Sequence, residues 1–84
     1  MIHINDMIVQ VELELYRYRK QFPLLIKQGV ISKGVAKDRY NRMLGVLTLI
    51  KDIRKVLPDY QFDPNDSYYQ KYLKLGEYPD HALA

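Results

Sequence analysis

Cysteine is absent from this chain of 84 residues, so neither a disulfide framework nor a thiolate metal site can supplement its core. Domains of this size bury a smaller share of their surface than larger ones, which leaves oligomerisation as the remaining source of support. Histidine is almost as scarce: His3 and His81 lie near opposite termini. Apart from tyrosine, the only hydroxyl side chains are Ser32, Thr48 and Ser67, which suit a helix cap, a helix surface and a second cap. No nucleophile, base and orienting group recur at a useful spacing, so the chain reads as a non-enzyme. The one potential metal trio, Glu77, Asp80 and His81, falls in a proline-containing tail without Glu-x-x-His spacing and reads as a solvated segment. No cofactor is implied. Long apolar runs are missing too. The opening Met-Ile-His-Ile-Asn-Asp has neither a basic n-region nor an apolar h-region, so the expectation is a cytoplasmic protein without a membrane partner.

Glycine and proline are few, four of each, and their positions divide the chain. The stretch Phe22-Pro-Leu-Leu-Ile-Lys-Gln-Gly-Val-Ile-Ser-Lys-Gly34 ends one amphipathic run and begins another. Gly29 stands where a helix needs positive φ to close its last turn, and Ser32 where the next helix needs an oxygen for its free amides. Before the bend, Ile8, Val11, Leu15, Tyr18, Phe22 and Leu25 recur at steps of three and four. This predicts a helix over 6–28, capped by Asn5 or Asp6 and kinked at Pro23, which cannot donate to the carbonyl of Arg19. After the bend, a second helix is predicted over 33–57, stopped by Pro58 and roughly 35 Å long. The short link Val30-Ile31-Ser32 makes the two helices antiparallel neighbours, pairing Phe22 with Tyr40, Tyr18 with Met43, Leu15 with Leu47, Val11 with Ile50 and Ile8 with Ile53. Residues 59–66 read as a loop, 66–75 as a short helix and 76–84 as a polar tail. The fold class is therefore all-α: one domain, a long helical hairpin with a short C-terminal helix.

The apolar surface exceeds what two helices can hide from each other. Val46, Leu49, Ile53 and Val56 extend the stripe of the second helix to about half its circumference, and Val9, Leu13, Tyr16 and Leu24 lie off the stripe of the first. Gly45 points the same way, since a glycine inside a helix costs about 1 kcal/mol relative to alanine and close approach by another element would account for it. The expected interface is thus Gly45, Val46, Leu49, Ile53, Val56, Val9, Leu13 and Tyr16, and the expected assembly a homodimer forming a four-helix bundle. Docking of Tyr68, Tyr69 and Tyr72 from the short helix is the competing way to cover this surface.

Charge is unevenly spread. Residues 1–57 hold 11 Lys/Arg against 5 Asp/Glu, and residues 58–84 hold 2 against 5. A basic body with an acidic tail fits a phosphate backbone, but also a tail folded over its own basic surface. At the bend, Lys27, Lys33 and Lys37 surround free helix amides and are candidates for an anion, with a solvated turn as the ordinary alternative. Arg39 and Arg42 extend the basic surface along the second helix, and Arg17, Arg19, Lys20, Arg54 and Lys55 complete it, interleaved with Tyr16 and Tyr40. Nucleic acid is therefore a possible partner. Tyr18 and Tyr40 suit the half-buried boundary of a small core.

One pattern resembles a known group. Phe22-Pro-Leu-Leu25, Gly29-Val-Ile-Ser32, Ala36, Arg39 or Arg42, and Met43 before an apolar run are similar to small phage and prophage helical-hairpin proteins, mostly uncharacterised. The resemblance covers about residues 8–57, with Phe22 where those proteins carry tyrosine. It implies a helical hairpin of phage origin and supplies no catalytic residue. The surplus apolar face and the lack of an active site point to a non-enzymatic accessory protein that works by protein–protein contact, with a host protein in the host cytoplasm as the expected partner.

Overall fold

The computed structural model describes residues 1–66. Two antiparallel helices dominate it, α1 (Ile4–Lys27) and α2 (Lys33–Val56). Two very short strands, β1 (Ile2–His3) and β2 (Gln61–Phe62), pair antiparallel at the open end of the hairpin, with Ile2 opposite Phe62 and His3 opposite Gln61. A 3-10 turn over Pro64–Asp66 follows. The expected helix over 66–75, its Tyr68, Tyr69 and Tyr72, and the tail 76–84 with Glu77, Asp80 and His81 lie outside the described residues, apart from Asp66.

The bend is built as the sequence foretells. Gly29 has φ of +73°, its N–H donates to Ile26 O at 3.0 Å, and Val30 N–H donates to Leu25 O at 2.9 Å. That pair of bonds, reaching back three and five residues, closes α1 in a Schellman motif and satisfies two of its terminal carbonyls. Ser32 then opens α2: its Oγ accepts from Val35 N–H at 3.1 Å, and its carbonyl accepts from Ala36 N–H at 3.0 Å. Pro23 sits inside α1 and does not divide it.

The other end departs from expectation. α1 begins at Ile4 rather than residue 6, and its cap is His3, whose Nδ1 accepts from Asn5 N–H at 3.1 Å. The cause is the returning chain. Tyr60 O accepts from Ile4 N–H at 2.9 Å, so the β-pair supplies a partner for an amide that Asn5 or Asp6 would otherwise have had to leave outside the helix. Asn5 and Asp6 become first-turn residues, and Arg54 Nη1 donates to Asn5 Oδ1 at 3.3 Å across the hairpin. α2 ends at Val56, where Leu57 N–H donates to Ile53 O and the Leu57–Tyr60 turn carries Pro58 as its second residue.

The core is narrow. Ile4, Ile8, Leu15 and Leu47 are buried together, with Met7, Val11, Tyr40, Met43 and Ile50 packed against them, and Ala36 is buried nearer the bend. The pairings Leu15 with Leu47 and Val11 with Ile50 fall within this cluster. Ile53, expected against Ile8, is 39% exposed instead. The reason is angular: Arg54, not Ile53, falls on the α1-facing line of α2, and Arg54 is half-buried with its Nη1 reaching Asn5 of α1. A Cβ built on Gly45 would meet nothing within 4 Å, so among the described residues no other element of the same chain approaches it closely.

Candidate functional site

Two kinds of surface survive folding, an apolar one along the outer helix faces and a basic one at the bend. Of the apolar set, Val9 (55% exposed), Leu13, Tyr16, Val46, Leu49 (61%), Ile53 and Val56 (78%) all remain exposed. They do not form one patch. At about 100° per residue, the α1 stripe of Val9, Leu13 and Tyr16 lies roughly 150° round from the line facing α2. The α2 stripe of Val46, Leu49, Ile53 and Val56 lies about 120° round in the opposite sense. Because the helices are antiparallel, equal rotations in sequence order lead to the same side of the hairpin, so these two stripes fall on opposite sides. A single contact can cover one of them.

The α2 stripe is the more regular. Its spacing of three, four and three residues is the seam of a left-handed helix pair. Beside it on α1 lie polar groups held to one another, with Arg17 Nη1 donating to Glu14 Oε1 at 2.7 Å and Gln10 Nε2 donating to the same oxygen at 3.4 Å. At its edge Gly45 lines a shallow, open depression together with Asn41, Leu44, Thr48, Leu49 and Asp52.

The basic residues sort differently from their order in sequence. Arg42 pairs with Asp38 at 2.9 Å, Lys55 with Asp52 at 3.4 Å, and Lys20 lies 5.5 Å over the Tyr16 ring. Neither Lys27 nor Arg39 lines the groove at the bend. Lys33 and Lys37 are joined there by Arg19, from the other helix, around an open groove of about 670 Å³. Its floor is Tyr18, Phe22, Pro23, Ile26, Ala36 and Tyr40, with the Tyr18 and Phe22 rings stacked at 4.5 Å. Arg19 and the floor residues were not grouped with Lys33 and Lys37 by sequence reasoning. The signal existed, since Arg19 stands about 60° past the facing line of α1, and Lys33 and Lys37 stand about 60° and 100° past that of α2.

No family model, curated protein or solved structure matches this chain. Its surfaces must therefore be read from their chemistry. Ser32 Oγ is engaged as a cap and Thr48 Oγ1 donates to Leu44 O at 2.9 Å. His3 Nε2 stands 3.8 Å from Asp59 Oδ1 at the open end. Among the described residues no group of three His, Cys, Asp or Glu could hold a metal ion, and no helix is long and apolar enough to cross a membrane.

Proposed function

We propose that this chain is a small non-enzymatic accessory protein of the phage type, which pairs with a second copy of itself and acts on a host protein in the cytoplasm through protein–protein contact. The observation that carries the reading is the α2 stripe. Val46, Leu49, Ile53 and Val56 are 39% to 78% exposed and follow the spacing of a helix-pairing seam. Fully burying such a side chain from water contributes about 1.5–3 kcal/mol, and a two-fold contact would recover the still-exposed part of that from four side chains on each copy. Gly45, with open space where its Cβ would stand, permits close helix approach at the edge of that seam. Pairing through α2 leaves Val9, Leu13 and Tyr16 on the far side of each copy, free for a different partner.

Nucleic-acid binding by the basic body is the second reading, supported by the meeting of Arg19, Lys33 and Lys37 over aromatic side chains. It has less behind it, because Arg17, Arg42 and Lys55 are engaged with neighbouring carboxylates and the cations form no continuous track. The deciding experiment is Leu49→Glu. The variant is expected to sediment as a single chain with its helical circular dichroism retained while the wild type sediments as two. Retention of the wild type on single- or double-stranded DNA, falling steeply with salt, would favour the second reading.

A further inference from the structure

We infer that the groove at the bend is a docking site for an acidic amphipathic helix of a partner protein. The site goes beyond self-association, which uses another side of the hairpin. Its walls come from both helices close to the turn, and the Schellman closure at Gly29 and the Ser32 cap hold those walls in place without a ligand. At about 670 Å³ with a floor that includes Phe22, Ile26, Ala36 and Tyr40, it accommodates several apolar side chains in a row.

Charge selects the occupant. Arg19 lines one wall and Lys33 and Lys37 the other, and none of them has an ion-pair partner among the described residues, in contrast to Arg17, Arg42 and Lys55. Lys33 and Lys37 are also one turn apart in the first turns of α2, where like charges repel and positive charge opposes the helix dipole. Carboxylates placed above them relieve both terms. Cations on both walls call for acidic residues along both edges of an apolar strip, which is the pattern of a helix seated in a groove.

Single-stranded nucleic acid fits less well. Base stacking needs free aromatic faces, and Tyr18 and Phe22, stacked on each other at 4.5 Å with 19° between their planes, each have one face already taken. Pro23, Ile26 and Ala36, which make up the other half of the floor, offer contact to alkyl groups.

The test uses the full chain and a fluorescein-labelled peptide of about four helical turns, with Leu or Phe at i, i+4 and i+7 and Glu on both flanks. Binding is followed by anisotropy for wild type, for Lys33→Glu with Lys37→Glu, and for Arg19→Glu, each checked for retained helicity; these side chains are exposed, and Arg19→Glu alone carries the test should the double variant fail to fold. The expected result is saturable binding that weakens about tenfold or more in the charge-reversed chains and is unaffected by Leu49→Glu, so that failure of self-association and failure of the groove are distinguishable. Absence of binding, undiminished binding to the charge-reversed chains, or equal competition by polyglutamate would each overturn the proposal. Stronger binding of oligothymidylate, lost in the same variants, would replace it with a nucleic-acid site.

Discussion

Replacing Gly45 by alanine separates what α2 needs as a helix from what it needs as an interface. The position is interior to α2, and a Cβ added there meets nothing within 4 Å. In an isolated hairpin the methyl group therefore carries no steric cost, while the helix gains about 1 kcal/mol from the lower backbone entropy of alanine in the unfolded chain. For a domain of this size that gain raises Tm by about 4–8 °C. In a pair of chains whose helices approach at Gly45, the methyl stands where the partner backbone must pass, so the gain is offset by a weaker association. The two effects separate with concentration, because dimerisation stabilises by mass action and dilution removes it. Thermal unfolding followed by circular dichroism across a wide protein-concentration range should show Gly45→Ala more stable than wild type when dilute, with the advantage shrinking or reversing when concentrated. A variant less stable than wild type even at high dilution would refute the open surroundings of this position. An advantage independent of concentration, in a protein that is dimeric, would refute close approach at Gly45.

Two further substitutions probe the ends of the hairpin. Ile4→Ala removes a side chain that is 1% exposed in a core of only a few residues, and should cost about 2–5 kcal/mol in urea unfolding, with the β1–β2 end losing amide-exchange protection first. Gly29→Ala forces a φ of +73° on a residue with a Cβ and should cost about 1–2 kcal/mol, although nothing lies within 4 Å of that Cβ; a loss well under 1 kcal/mol would mean that the bend closes differently.

The bend was legible because its signals are local. Positive φ at Gly29 and an oxygen at Ser32 are each demanded by a single helix end, so residue type alone points to them. The long stripes were legible for a similar reason, since Leu15, Leu47, Val11 and Ile50 repeat at helical spacing over many turns. The open end was not, because its structure depends on chain that returns from more than fifty residues away. Ile4 N–H reaches Tyr60 O, and the strand pair is two residues long, too short to leave an alternating pattern in sequence. The same distinction governs the sites. Exposure of Val46, Leu49 and Val56 follows from the width of one stripe, whereas the groove needs Arg19 of α1 and Lys37 of α2 to be placed on a common side.

The central claim is that the α2 stripe is an interface between copies, and the mass of the wild-type chain in sedimentation equilibrium at tens of micromolar tests it most directly. A mass of two chains, falling toward one on dilution, is the predicted result. A mass of one chain throughout that range would contradict the account.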